Sequence, residues 1–328
     1  MRPRDAVMVL AVALAVAAPC RGAEPQWLSD TPPHADAGGK SRHNHGGVVE
    51  EGDDGKIFKR LWLRVGSNLR ASDYLHGAPG DAVELTLIDP LGRLTTYSAD
   101  ALGHDGLRFE LTEEGYYNVY LVEQRAQHGE LAATVTKTEV LKHSCRDGRH
   151  DWAAVAERIP PHALGSAPFD IVRVRAADED FHTEIRSGDD VRFRVEMRGK
   201  PVHGAQVRMI TQQGWEKTVI TGNDGVASFR VIRDYFPEWS LFQRRNREKY
   251  LVVADYAAEE RGSYRGSAYR AQRFRATLPG SYLPSKRDYT SYAYGFGLVL
   301  FASTFSGLGV YLYRRRRLKP YRETPLGE

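Results

Sequence analysis

The chain has 328 residues, of which 41% are hydrophobic and 27% charged. That is enough for one large or two small folded domains and too polar for a polytopic membrane protein. Lys plus Arg number 46 against 42 Asp plus Glu, and a net charge of +4 on a chain this long does not by itself point to nucleic acid; only two Cys stand beside 17 Tyr, 12 Phe and 31 Gly, which excludes a disulfide-rich scaffold and favours strands and turns.

Residues 1–23 combine a charged start (Arg2, Arg4), an apolar run from Ala6 to Ala18 and then small residues, the plan of a secretory signal peptide. The run is too short to span a membrane. If Cys20 leaves with it, Cys145 is the sole thiol and no intrachain disulfide can form. Residues 24–55 are rich in Pro, Gly, His and acids with little apolar periodicity, and are expected to form a mobile acidic arm. The arm carries His34, Asp36, His43 and His45. A His-x-His pair with nearby carboxylates has the ligand chemistry for Cu(II), Ni(II), Co(II) or Zn(II). A solvated spacer with incidental histidines is the alternative.

From residue 56 the texture changes. Ile57 to Val65, Ala82 to Ile88, Leu94 to Ser98, Leu107 to Leu111, Tyr116 to Glu123 and Leu131 to Leu141 are strand-length, β-branched or aromatic, and separated by Pro and Gly turns. Six such strands predict a β-sandwich over 56–142. Tyr117, Val119 and Leu121 alternate imperfectly with Asn118, Tyr120 and Val122, as expected of a strand partly covered on both faces. Residues 143–167 interrupt the pattern with a polar stretch and Pro160-Pro161, which marks a domain junction. Within it His143, Cys145 and His150 are ligand types for zinc or copper, at a spacing that matches no closed structural zinc motif. A junction loop with a buried Cys145 is the alternative.

Seven further strand-like segments between Phe169 and Thr277 predict a second sandwich over 168–280, of immunoglobulin-like type. Asn223-Asp224-Gly225 is its strongest hairpin signal, because these residues tolerate positive φ. The stretch from Arg244 to Arg275 interleaves nine basic residues with Tyr250, Tyr256, Tyr264 and Tyr269; it suits either anionic headgroups or a solvated strand face. Residues 291–313 are uncharged and bordered by tyrosines, and predict a transmembrane helix. Arg314 to Arg317, Lys319 and Arg322 follow it while only Lys286 and Arg287 precede it, so the tail 314–328 is expected in the cytoplasm. Ser303 and Gly307 form a small-xxx-small pair that would seat a partner helix.

No His-Glu-x-x-His, Gly-x-Ser-x-Gly, Cys-x-x-Cys or phosphate-binding glycine loop occurs, so the expectation is a protein that is not an enzyme, with no catalytic or cofactor-binding residues. The alternative is an enzyme whose site sequence alone does not connect.

The run from Gly199 through Pro201, Gly204-Ala205 and Val207, followed by Thr221-Gly-Asn-Asp-Gly225 and Phe229, resembles the hairpin pattern of extracellular carboxypeptidase-regulatory-like modules. In this and in its signal peptide and C-terminal helix, the chain is similar to bacterial DUF4198 proteins and the NikM-like periplasmic components of nickel and cobalt uptake. The resemblance covers mainly residues 187–277. It implies a bacterial source; with the anchor, its basic flank and the small net charge, the expectation is a single-pass inner-membrane protein with a periplasmic ectodomain, in contact with lipid and with an integral membrane partner and not with nucleic acid.

The expected fold is all-β, with two Ig-like β-sandwich domains plus one C-terminal transmembrane α-helix. The expected role is binding or assembly at the membrane, as an accessory to divalent metal (Ni, Co or Cu) handling. The alternative role is a structural or adhesive ectodomain without metal.

Overall fold

The computed structural model describes residues 24–33, 41–44, 47–77, 83–143, 157–235 and 247–317. The first half is built on β4 (Ile57–Val65), in which Leu61 and Leu63 alternate inward against outward neighbours. It pairs antiparallel with β1 (Gln26–Ser29), β3 (Gly47–Glu51), β5 (Asp73–Leu75) and β8 (Leu107–Glu110), and β2 (Ser41–Asn44) adds to β3, making a six-stranded sheet. Four more strands of this half, β6 (Val83–Ile88), β7 (Leu94–Tyr97), β9 (Gly115–Gln127) and β10 (Glu130–Lys142), lie in a second sheet.

That second sheet continues into the other half of the chain. β14 (Gln206–Thr211), β15 (Glu216–Ile220), β17 (Glu248–Ala258) and β20 (Ala271–Tyr282) complete eight strands in the order β15-β14-β17-β20-β10-β9-β6-β7. Every pair is antiparallel except β10 and β20, which run parallel from Glu130 opposite Ala271 to Thr136 opposite Thr277. A third sheet, of β11 (Asp170–Val174), β12 (Asp190–Met197), β13 (Lys200–Pro201) and β16 (Val226–Arg230), covers its other face. A small hairpin, β18 (Gly262–Tyr264) with β19 (Ser267–Tyr269), forms a separate two-stranded sheet beside β9.

The two sandwiches therefore share one wall. On β9, Tyr117, Val119 and Leu121 join a core with Leu61 and Leu63 of the six-stranded sheet. Tyr120 and Val122, one residue out of phase, join a core with Ile171, Phe193 and Phe229 of the four-stranded sheet. The uneven alternation read in the sequence is the signature of this double burial. Two local devices hold the Ig-like design. The Tyr117 hydroxyl donates to the Glu113 carbonyl at 2.9 Å and accepts from the Glu113 amide at 2.7 Å, a tyrosine corner. Gly225 takes φ +72°, and a Cβ there would meet the Val195 carbonyl and Pro201, each at 2.9 Å.

Two boundaries differ from expectation. The segment 24–55 is not only a spacer, since it supplies β1, β2 and β3. Trp27 and Leu28 are buried, and Trp27 packs with Leu69, Ile210, Leu251 and Val253, so the first strand bridges both halves. The Thr277 hydroxyl donates to the Gln26 carbonyl at 2.6 Å and fixes it there. Two adjacent large apolar residues in a polar stretch are diluted in any average over the stretch, although each fills a different contact.

At the other end, α1 (Lys286–Arg317) begins five residues before the predicted span and continues four beyond it. Its uncharged part, Ala293–Tyr313, is about 31 Å long at 1.5 Å per residue, enough to cross a ~30 Å hydrocarbon core, and Arg314–Arg317 follow at its end. Its described side chains, among them Phe296, Leu300, Phe301 and Phe305, are exposed all round, a surface suited to lipid. Only Leu283, Pro284 and Ser285 separate β20 from α1.

Candidate functional site

The parallel ladder of β10 and β20 stops at Thr136 and Thr277. Beyond it β10 keeps only β9, and β20 keeps only β17. Pro279 has no N–H with which to extend a ladder. At Gly280 a Cβ would stand 2.2 Å from the Tyr250 ring, so the missing side chain makes room for that buried tyrosine. The result is a seam through the shared wall. A cavity of about 280 Å³ opens on one face and one of about 150 Å³ on the other, and Glu139, Arg247, Pro279, Gly280 and Ser281 line both.

Charge concentrates at this seam. On the larger side Asp30 sits between two ammonium groups, Lys59 Nζ at 3.0 Å and Lys249 Nζ at 2.5 Å. Burial pushes the Asp30 carboxyl up, but the two lysines together outweigh it and hold the group well below the usual carboxylate range. On the smaller side Arg173 grips Glu179 through two contacts of 2.9 Å, and Arg175 meets Glu139 at 2.5 Å while its guanidinium lies over the Tyr116 ring at 4.1 Å. Deeper in the same layer, Lys137 Nζ reaches Asp170 at 3.2 Å and the Ile171 carbonyl at 3.0 Å, and the Tyr120 hydroxyl donates to Asp170 at 2.9 Å. Burial alone would lower the Lys137 ammonium; Asp170 beside it more than restores it, so it stays charged.

At the far end of β10 two histidines meet. Lys142 pairs with Gly115, which brings His143 beside Glu114 at the start of β9. His143 is 0% exposed and packs against Phe181, with ring centroids 5.2 Å apart and the planes tilted by 41°. Its Nε2 lies 3.1 Å from Nε2 of His182, with the two rings edge-on at 86°, and its Nδ1 faces the Glu114 carboxylate at 3.6 Å. His182 Nδ1 in turn faces Asp180 at 3.8 Å.

Of the ligands expected from sequence, His143 therefore has a built environment. His43 stands in β2 opposite Val48. His34, Asp36, His45, Cys145 and His150 lie outside the described residues, as do residues 1–23, expected to form a signal peptide, and the tail beyond 317. Among the described residues no three His, Cys, Asp or Glu side chains are grouped to hold a metal ion. His182 carries no signal of its own in the sequence. It is 39 positions from His143, and no spacing rule connects a strand end to a distant turn.

No family model matches the chain, and no curated protein matches it. Among solved structures it is similar to a chain from work on host cell surface retention of a 1.5-MDa bacterial ice-binding adhesin, at 10% identity and a TM-score of 0.22 over 70% of this chain and 58% of that one. It is similar also to a Ca²⁺-stabilized adhesin that helps an Antarctic bacterium bind ice, at 12% identity and a TM-score of 0.21, covering 80% of this chain and 49% of that one. A two-domain fibronectin type III segment from chicken tenascin matches at 13% identity and a TM-score of 0.16, over 72% of this chain and 95% of that one. The chain spans about half the length of the two adhesin chains.

Proposed function

We propose that the protein is a membrane-tethered structural or adhesive ectodomain, which presents its layered sheets at a fixed attitude in the periplasm above a bacterial inner membrane. The observation that carries this reading is the junction between β20 and α1. A central strand of the shared wall passes into the helix across three residues, and those residues are themselves bonded: the Leu283 amide donates to the Ile185 carbonyl at 2.9 Å, the Ser187 amide to the Leu283 carbonyl at 2.8 Å, and the Ser285 amide to the Ser187 hydroxyl at 2.8 Å. Strain on the helix is passed to the middle of the sheet and not to a loose tether. The arginines at 314–317 favour a cytoplasmic C-terminal end, and the Ser303–Gly307 face would seat a partner helix.

Distance measurement between spin labels tests the reading directly. Labels at exposed Lys217 and at Gly309 on the full chain in lipid nanodiscs should give a narrow distribution. Insertion of eight Gly and Ser residues between Ser285 and Lys286 should broaden it. A broad distribution in the uninterrupted protein would refute rigid presentation.

A further inference from the structure

We propose that His143 and His182 form a binding site for a divalent ion of the zinc class, held through their two Nε2 atoms and oriented by Glu114 and Asp180. The separation of the nitrogens comes first. Two imidazoles bound at 2.0–2.1 Å to one tetrahedral ion have their nitrogens about 3.3 Å apart, and here the two Nε2 atoms are 3.1 Å apart. The far side of each ring is the second point. Both Nδ1 atoms face a carboxylate, Glu114 and Asp180. At 3.6 and 3.8 Å these carboxylates act through charge, and they favour a positive centre at the rings they face. The two Nε2 atoms are within hydrogen-bond distance and share one proton, and a divalent ion bound to both takes the place of that proton.

The supports are built in advance. His143 is fixed by the end of the β9–β10 ladder. His182 belongs to a turn locked by Asp180, whose carboxylate accepts from the His182 amide at 2.9 Å and from the Thr183 hydroxyl at 2.8 Å. Phe181 supplies a low-dielectric floor beneath His143, while the His182 side chain, 39% exposed, gives the ion a path from solvent. Imidazole ligands suit Zn(II), Co(II), Ni(II) and Cu(II) over the hard cations Mg(II) and Ca(II), with solvent filling the remaining positions. The site stands on other residues than the junction that carries the presentation reading, and it holds or fails separately.

The test uses the full chain in nanodiscs without a histidine tag, titrated with Co(II) as a spectroscopic probe and then with competing Zn(II). The expected result is one Co(II) per chain with nitrogen-ligand visible bands, displaced by Zn(II), at a dissociation constant of about 10⁻⁵ M or tighter. His182→Gln, at an exposed position, should keep the metal-free unfolding temperature and weaken binding at least about tenfold, and His143→Gln should do the same to binding. Asp180→Asn, which keeps an acceptor oxygen for the His182 amide and the Thr183 hydroxyl but removes the charge behind the ring, should weaken it by about 10-fold or more, as loss of an outer-shell carboxylate does. A triple His34→Ala, His43→Ala, His45→Ala variant should leave this binding unchanged. Affinity weaker than about 10⁻⁵ M, wild-type affinity in His182→Gln, or loss confined to the triple variant would each overturn the site.

Discussion

Lys137 and Asp170 are oppositely charged, buried and joined across two layers, with Tyr120 and the Ile171 carbonyl satisfying further bonds. Removing one partner strands the other, so Asp170→Ala should cost about 3–5 kcal/mol in chemical unfolding, whereas Lys137→Met with Asp170→Leu should cost much less. Asp30 makes a different statement. Its carboxyl is depressed in the fold, so its contribution is present above its ordinary value of 3.8 and drains away as acid is added below that. Asp30→Asn should therefore lower the melting temperature by a similar amount between about pH 5 and 8, and the gap to wild type should close in stronger acid. Glu123 behaves in the opposite sense. Burial raises its carboxyl from 4.5 to about 7, so between those values the folded protein keeps a proton that the unfolded chain has lost. Stability then falls as pH rises through that window. Glu123→Gln should stabilise the protein by about 1–2 kcal/mol above pH 7, allowing for the group's partial exposure, and by little at pH 4.5. None of these pairings was legible in the sequence: Lys137 and Asp170 are separated by 33 positions, and their meeting depends on which sheet covers which.

Among the elements, those whose pattern is local were legible. The strand expected from Ile57 to Val65 is β4, residue for residue, and the Asn223-Asp224-Gly225 turn lies where three small or polar residues allow it. β1 was not legible, because four residues with two large apolar side chains carry no measurable period. β9 and β10 were found but shortened, since their outer ends turn polar while the ladder runs on to Gln127 and Glu130. Close approach was equally hidden. Gly280→Ala would push a methyl group into the Tyr250 ring, and it should cost about 1–3 kcal/mol, partly recovered by Tyr250→Leu. Equal stability of Gly280→Ala and wild type in urea unfolding would show that the ring can yield.

For the whole molecule, the sequence reads as two sandwiches in series while the structure builds them on a common sheet. Composition and turn spacing reveal thirteen of the twenty described strands but not that β10 borders a strand that begins 129 residues after β10 ends. That arrangement has a consequence for biogenesis. A chain that emerges from its N-terminus completes β9 and β10 long before β20 exists, and throughout that interval the open edge of β10 invites pairing with any other strand. The protein has to be held, shielded or kept dilute until its last strand arrives. Residues 24–167 expressed alone should aggregate, and adding a synthetic peptide of residues 271–282 during refolding should suppress that aggregation by filling the vacant lane.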